Sequence, residues 1–249
     1  MRRIEHFLLL AWLLTTGLIV FGIVVCLDTG LIQAMIATDR SMICVVVIAI
    51  YMVGLGHSLW RTSYLSRELN LVAKTEQILR VQRHEEPLEI KDGRISTLHG
   101  AALPDSFLSH YILDMVKAEQ AELSKDKGAE ARTDMLEAYA TRMRSAHEFG
   151  WFVIDFMLKI GFLGTLIGFI WMLGSVSQQE LLDASMMQRV LKQMSWGMST
   201  ALNTTLVSLV TGILLSIPYY LLGRGLDELL ENIVRLTEVQ VWPRLRATA

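Results

Sequence analysis

The sequence has few of the residues on which several classes of protein depend. Its two cysteines, Cys26 and Cys44, are too few for a disulfide-stabilised scaffold. Both would lie toward the same membrane surface, which leaves a bridge between them open, although a free buried thiol is the commoner state. The six histidines show no metal-ligand spacing, and the sequence has neither a Walker phosphate loop nor a dinucleotide-binding glycine pattern. No nucleophile–base pair is apparent, so we expect neither an enzyme nor a cofactor or metal.

A tract of basic residues is also missing. The net charge is −2, which disfavours nucleic acid as a partner. Hydrophobic residues make up 52% of the chain, and its mean hydropathy is +0.40. These values are high for a soluble domain and low for a chain that lies almost wholly in a membrane. We therefore expect several membrane spans together with a sizeable aqueous part.

Four apolar runs are long enough to cross a bilayer, which needs about 20 apolar residues per helix. They lie at about 7–27, 42–60, 151–174 and 199–222. The first run is too long for the apolar part of a signal peptide and lacks an evident cleavage site, so we interpret it as a retained span. Lys and Arg cluster on one side of the four spans, which predicts cytoplasmic termini and a cytoplasmic middle region.

The fold class predicted from these patterns is an all-α polytopic membrane protein with long helices extending into a helical cytoplasmic region. Its parts would be an N-terminal transmembrane hairpin, a cytoplasmic helical region, a second transmembrane hairpin and a cytoplasmic amphipathic C-terminal helix, at residues 1–60, 61–149, 150–223 and 224–249. From about Ala129 the helical pattern runs without proline into the third span, which predicts one helix of roughly 45 residues.

Within the cytoplasmic region, two local features interrupt or start helices. Residues 85–104 are interpreted as irregular because they contain the breakers Pro87, Asp92-Gly93, Gly100 and Pro104. Asp105 or Ser106 would then cap a helix that continues toward Leu123.

The third and fourth runs carry more Gly, Thr and Ser than a helix surrounded by lipid needs. On a helical wheel, small and hydroxyl residues of the fourth run share an arc of about 160°; they are Thr200, Thr204, Thr205, Ser208, Thr211, Gly212 and Ser216. In the third run an arc of about 100° holds Gly161, Gly164, Thr165 and Gly168. Such faces serve close helix packing or line a polar path. Six hydroxyls on one face favour a polar path or cavity, or a partner helix that carries a polar group.

Three further residues of these runs carry predictions. Asp155 and Lys159 lie four residues apart, which predicts an interfacial ion pair at the cytoplasmic end of the third span. Pro218 removes a backbone hydrogen bond, which predicts a bend in the fourth span. Proton relays within membranes normally use Asp, Glu or His, and neither run has a carboxylate at mid-depth. If protons pass here, a partner supplies the titrating acid.

The segment Gly161-x-x-Gly164-Thr165-Leu-Ile-Gly168, followed by Ala201-Leu-x-Thr204-Thr205 and by Pro218, resembles the MotA/TolQ/ExbB proton-channel family. The resemblance covers about residues 150–222. The four-span layout, the Thr-Thr pair and the late proline are similar to MotA. The glutamate of TolQ and ExbB would fall at Thr200, and Leu158 stands where many members have a proline, so the subfamily stays open.

This resemblance implies a homopentamer around a dimer of a single-span partner of the MotB/ExbD/TolR type in the bacterial inner membrane. The partner would supply the proton-accepting Asp, and Thr165 and Thr205 would line the ion path with Thr204 beside them. Thr200 and Ser208 share this hydroxyl face. Flow of protons, or of sodium ions since hydroxyls suit both, would drive rotation that energises a flagellar or envelope process.

Two other hypotheses compete with the ion channel. In a passive membrane scaffold, the faces that carry Gly161, Gly164, Gly168 and Gly212 would serve helix packing only. A stand-alone transporter is disfavoured because the sequence shows neither an inverted repeat nor broken helices with an internal ionisable site.

Overall fold

The computed structural model describes residues 7–39, 41–81, 88–91, 94–97, 103–121, 128–177, 184–241 and 243. The elements in these ranges are α1 (Phe7–Asp28), α2 (Leu31–Thr38), α3 (Ile43–Val81), β1 (Leu88–Lys91), β2 (Arg94–Thr97), α4 (Phe107–Ala121), α5 (Gly128–Ser177) and α6 (Ala184–Leu236), which a π-helical turn (Thr237–Val241) follows. The predicted all-α polytopic architecture is confirmed, with one short β-hairpin added to it.

Four of the described helices are long and apolar enough to cross a membrane. Their candidate spans lie in α1, α3, α5 and α6, at Leu8–Asp28, Ile43–Arg80, Asp134–Gly174 and Met187–Val241. The prediction of one long helix leading into the third span is confirmed, since α5 is 50 residues long. The second span likewise continues without a break, and α3 extends for 39 residues.

The irregular structure predicted for residues 85–104 is wrong at β1 and β2. These strands pair antiparallel, with Leu88 opposite Thr97 and Lys91 opposite Arg94. That register leaves the dipeptide Asp92-Gly93 between the strands, and Asp-Gly is a strong signal for a two-residue hairpin. The strands were not predicted because the dipeptide was interpreted only as a helix breaker and not as a hairpin turn.

The chain divides into two compact units. The first, unit 1, comprises residues 1–10, 61–147 and 221–249, and the second, unit 2, comprises residues 11–60 and 148–220. The core of unit 1 contains apolar side chains of four helices, among them Leu65, Val72, Leu79, Ile112, Met115, Met143, Leu229 and Ile233. The core of unit 2 includes Val47, Tyr51, Ile154, Met157, Ala201, Leu215 and Tyr219.

The connection between the first two spans contains a helix that the sequence analysis did not predict, α2, and a capped start of α3. Asp39 caps that start, because its carboxylate accepts hydrogen bonds from the N–H groups of Ser41 (2.9 Å) and Cys44 (2.8 Å). Burial disfavours the ionised carboxyl, but these hydrogen bonds outweigh burial and hold the pKa of Asp39 below its ordinary value. Cys44 is buried, Cys26 is exposed, and both are free thiols.

The predicted cap of α4 is confirmed at Ser106, and α3 adds a second one. Ser106 Oγ accepts from the N–H of Ser109 (3.4 Å), while Ser109 Oγ accepts from the N–H of Ser106 (2.9 Å). The first N–H of the helix, on Phe107, donates to the carboxylate of Glu68 (3.0 Å). Glu68 is buried, at 8% exposure. Its carboxylate links α3 to the N-terminus of α4, where the helix dipole favours a negative charge.

Replacing Glu68 with alanine is expected to loosen the first turn of α4. Loss of a capping acceptor costs about 1–2 kcal/mol, and the N–H of Phe107 would be left without its partner. Hydrogen–deuterium exchange of the purified protein would show faster exchange in the first turn of α4. Glu231→Ala, at an exposed carboxylate of α6, is the control. Equal exchange in the two variants would contradict a capping role for Glu68.

Candidate functional site

The glycines of α5 lie directly against α6 within unit 2. A Cβ on Gly161 would lie 1.7 Å from Ser208 Oγ, and one on Gly164 would lie 2.5 Å from Thr204 Oγ1. A Cβ on Gly168 would lie 2.6 Å from the carbonyl oxygen of Gly197. No real side chain fits at these distances, so glycine is what allows the two backbones to approach. We call this contact the glycine seam; it consists of Gly161, Gly164, Gly168, Gly197, Ala201, Thr204 and Ser208.

Gly197 belongs to the seam although sequence reasoning missed it. A Cβ at this position would lie 2.7 Å from the carbonyl oxygen of Gly168 and 2.8 Å from the backbone nitrogen of Met172. Its spacing gave a signal, because Gly197 precedes Thr204 by seven residues, or about two helical turns. The predicted span begins at about residue 199, so Gly197 lies outside it. In the structure α6 already begins at Ala184.

Gly212 lies farther along α6 and makes a looser contact. A Cβ there would lie 3.3 Å from Leu158 Cδ2 and 3.9 Å from Ile154 Cγ2. Leu158, the position at which the resemblance implied a proline, packs on the small residue opposite. Gly212 is therefore a packing position with room for a small adjustment, unlike the glycines of the seam.

The hydroxyls of α6 fall into two groups that the helical wheel did not separate. Thr200, Thr204 and Ser208 are buried, at 1%, 0% and 2% exposure. Thr205, like Thr165 of α5, stays partly exposed. Since Thr165 follows Gly164 and Thr205 follows Thr204, the contact between Gly164 and Thr204 places both exposed threonines at one level of the hairpin.

Buried and partly exposed hydroxyls alike donate hydrogen bonds to carbonyl oxygens of their own helix. Thr204 Oγ1 donates to Thr200 O (3.0 Å) and Ala201 O (3.1 Å), and Thr205 Oγ1 donates to Ala201 O (3.2 Å). Thr165 Oγ1 likewise donates to the carbonyl of Phe162 (2.5 Å). A hydroxyl whose proton is used in this way presents only its oxygen lone pairs outward. The exposed pair can thus accept from water or hydronium, or coordinate a small cation, but cannot itself titrate near neutral pH.

Neither α5 nor α6 has a carboxylate at the level of the seam. The sequence has no Asp or Glu between Gly161 and Ser177 or between Ala184 and Leu226. Asp155 and Lys159 form an ion pair, with Lys159 Nζ 2.5 Å from Asp155 Oδ2, and both side chains are exposed. Asp155 precedes Thr165 by ten residues, which is about 15 Å along the helix. That distance excludes direct contact between the Asp155 carboxylate and the threonine level.

Pro218 lies within α6, which continues to Leu236. The ring is buried, and the helix is maintained on both sides of it. Proline therefore does not end the span, and the bend attributed to it stays a prediction.

A histidine–tyrosine pair is a feature of unit 2 that no motif predicted. The hydroxyl of Tyr219 lies 2.7 Å from His57 Nδ1 and 3.4 Å from the carbonyl oxygen of Gly54. Tyr219 is fully buried, and its ring occupies the space above Gly150, where a Cβ would lie 1.9 Å from it. His57, the one histidine inside a predicted span, is thus a hydrogen-bonded residue between helices. No sequence pattern marked Tyr219 as the partner of this histidine.

Among the residues that the structure describes, no group of three or more His, Cys, Asp or Glu side chains is placed to hold a metal ion. What the described part of unit 2 offers chemically is a set of hydroxyl oxygens beside a closely packed pair of helices.

Comparison with known proteins places these features in a family. The sequence profile of the MotA/TolQ/ExbB proton channel family matches residues 104–235, more than half of the chain. The match extends from the start of α4 almost to the end of α6, so it includes the whole glycine seam and both exposed threonines. A comparison with curated protein sequences gave no match. The chain belongs to the MotA/TolQ/ExbB proton channel family.

Proposed function

We propose that this proton-channel-type membrane subunit forms the ion path of a complex in which ion flow drives rotation. The observation that carries the proposal is the division of the hydroxyls: Thr204 and Ser208 pack against glycines of the seam, whereas Thr165 and Thr205 stay partly exposed at one level.

The titrating acid would come from a single-span partner. The paired helices hold lone-pair acceptors at the threonine level but no carboxylate, so the site is chemically incomplete in one chain. An Asp near the start of the partner's span would complete it by accepting and releasing the proton next to Thr165 and Thr205. The assembly proposed is a homopentamer of this chain around two copies of that partner, in the bacterial inner membrane.

The exposed apolar surface of α5 and α6 supports such an assembly. Large side chains on both helices remain exposed in the single chain, including Phe162, Phe169, Trp171, Leu202, Leu206 and Ile213. In a membrane, lipid or neighbouring helices must cover them. The proposal assigns part of this surface to neighbouring copies and part to the partner's span.

The proposed orientation places both termini and residues 61–149 in the cytoplasm, following the distribution of Lys and Arg. Since α3, α5 and α6 continue beyond their apolar segments, movement of the spans would be transmitted along unbroken helices. Protons and sodium ions both suit a hydroxyl-lined path. The driven process would be a flagellar rotor or an envelope process.

The proposal is tested by finding the partner and measuring ion flow. The full-length chain is purified from membranes in mild detergent, and co-purifying proteins are identified by mass spectrometry. We expect a single-span protein with an Asp near the start of its span. In liposomes, the complex should pass protons or sodium ions down an imposed gradient, and Asp→Asn in the partner should abolish the flow. A complex without such a partner, or with undiminished flow in the Asn variant, would refute the proposal.

A passive scaffold is the second candidate, and the buried hydroxyls favour it. Thr204 fits against Gly164, and Ser208 fits against Gly161, as expected for packing alone. The scaffold requires that alanine at Thr165 and Thr205 be tolerated and that dissipating the ion gradient leave the cellular process unchanged. The channel requires the opposite result in both experiments.

A further inference from the structure

A cavity of about 400 Å³ lies among α3, α4 and α5 within unit 1. Its volume is in the range of small-molecule sites. Six of the side chains that line it are polar or charged: Arg61, Tyr64, His110, Asp114, Tyr139 and Arg142. None of them belongs to the glycine seam or to the threonine level, so the proposed ion path does not use them.

The acidic group of the cavity is already engaged. Asp114 Oδ2 accepts a short hydrogen bond from the hydroxyl of Tyr139, and Asp114 Oδ1 lies 3.7 Å from Lys117 Nζ on the same helix. Lys117, which is exposed and does not line the cavity, offsets part of the charge of Asp114. His110 Nε2 lies 3.0 Å from Asp105 Oδ1, so Asp105 occupies one nitrogen of that ring.

The two arginines, in contrast, keep their charge available. In the described part of the chain, neither Arg61 nor Arg142 has a carboxylate oxygen within 4.0 Å. A guanidinium is always charged at physiological pH, so two positive charges from separate helices face this cavity, together with the carboxylate of Asp114. The described side chains that line the cavity therefore carry a net positive charge, which favours an anionic ligand.

Arg61 is also held in place before any ligand binds. One of its terminal nitrogens donates to the carbonyl of Met143 (3.3 Å), and its guanidinium lies 5.7 Å from the centre of the Tyr64 ring. These contacts fix the plane of the guanidinium and leave its remaining N–H groups for a ligand. A donor set fixed in this way loses less side-chain entropy on binding.

We propose that this cavity binds a net-anionic phosphate group through Arg61 and Arg142. Guanidinium groups match phosphate oxygens in charge and in two-pronged geometry. Arg61 directly follows Trp60, where the second apolar run ends. The phosphate would therefore belong either to the headgroup of an anionic lipid at the membrane surface or to a soluble phosphorylated molecule. Binding would order α3, α4 and α5 around it, whether or not the complex conducts ions.

The test uses the full-length protein in mild detergent and two kinds of probe. Native mass spectrometry compares binding of dioleoyl phosphatidylglycerol with that of dioleoyl phosphatidylcholine, and calorimetry measures binding of glycerol 3-phosphate. The variants are Arg61→Gln and Arg142→Gln. The matched control is Arg144→Gln, two residues along the same helix, whose side chain lies 3.8 Å from Asp227 and does not line the cavity.

We expect each cavity variant to weaken binding about tenfold, the effect of losing one charge-assisted contact, and the control to match the wild type. Preference for phosphatidylglycerol that depends on both arginines identifies a lipid headgroup. Arginine-dependent binding of glycerol 3-phosphate without a lipid preference identifies a soluble ligand. Equal binding by the wild type, both cavity variants and the control, or no binding of either probe to the wild type, overturns the proposal. Arg61→Lys and Arg142→Lys keep the charge and check that a loss does not reflect misfolding.

Discussion

Replacing Gly168 with alanine is expected to separate α5 from α6 and to destabilise the hairpin by about 3 kcal/mol, at the upper end for an added group in a packed core. The added Cβ would lie 2.6 Å from the carbonyl oxygen of Gly197 and 2.7 Å from the backbone nitrogen of Ala201. Neither atom belongs to a side chain that can turn away. The clash is relieved only when one helix moves, and the other contacts of the seam then open as well.

Thermal unfolding of the purified protein in detergent measures this effect. Gly174→Ala is the matched control, because Gly174 lies on the same helix and an added Cβ there would meet nothing within 4 Å. Its unfolding temperature should equal or slightly exceed that of the wild type, since alanine favours a helix. If Gly168→Ala unfolds at the temperature of Gly174→Ala, the close approach of the two helices is wrong.

A pair of compensating substitutions, Gly161→Ala and Ser208→Gly, tests the close contact of α5 and α6 at the other end of the seam. Gly161→Ala brings its Cβ against the Oγ and Cβ of Ser208. Ser208→Gly removes both atoms, so the double variant should regain most of the stability that Gly161→Ala loses. The backbone clash at Gly168 has no rescue of this kind. Rescue of Gly161→Ala by Ser208→Gly would show that the two residues are in direct contact, because a general destabilisation of these helices by alanine would not be rescued.

The spans and the seam glycines of α5 could be predicted from the sequence because both follow from local patterns. Length and apolarity define a span, and residues spaced at three and four lie on one face of a helix. Gly161, Gly164 and Gly168 satisfy the second rule within a single run. Gly197 lies about two helical turns before Thr204 but in a more polar stretch outside the apolar run, so only its contact with Gly168 and Met172 in the structure shows that it belongs to the seam.

The division of the hydroxyls could not be predicted from the sequence, for a geometrical reason. A helical wheel gives the angle of each residue about one axis but not the position of the neighbouring helix. On the wheel, Thr204 and Thr205 therefore lie in the same polar arc, and their burial cannot be distinguished. Only the contact of Gly164 with Thr204 shows that Thr204 is covered by α5 while Thr205 remains partly exposed. The pairing of His57 with Tyr219 is likewise invisible to periodicity, since 162 residues separate them.

Thr205→Val and Thr165→Val are each expected to reduce ion flow strongly while the complex still assembles. Valine has nearly the shape of threonine, so it preserves the packing beside the seam and removes the oxygen that would accept from water or hold a cation. Loss of one such contact costs about 1–3 kcal/mol, which corresponds to a fall of about 5- to 150-fold in flux through that step. Ion flux into liposomes measures the loss, and size-exclusion chromatography with the partner measures assembly.

Two comparisons separate a hydroxyl role from a packing role at the threonine level. Thr205→Ser keeps the oxygen and loses a methyl group, so it should retain most of the flux that Thr205→Val loses. Thr204→Val changes a hydroxyl that is covered by Gly164, so its effect on flux should be smaller than that of Thr205→Val if exposure decides which oxygens the ion meets. Full flux in Thr165→Val and Thr205→Val, with the complex intact, would remove both residues from the ion path. The exposed hydroxyls would then have the same role as the buried ones, and the hairpin would be a packing element whose ion path lies elsewhere in the complex.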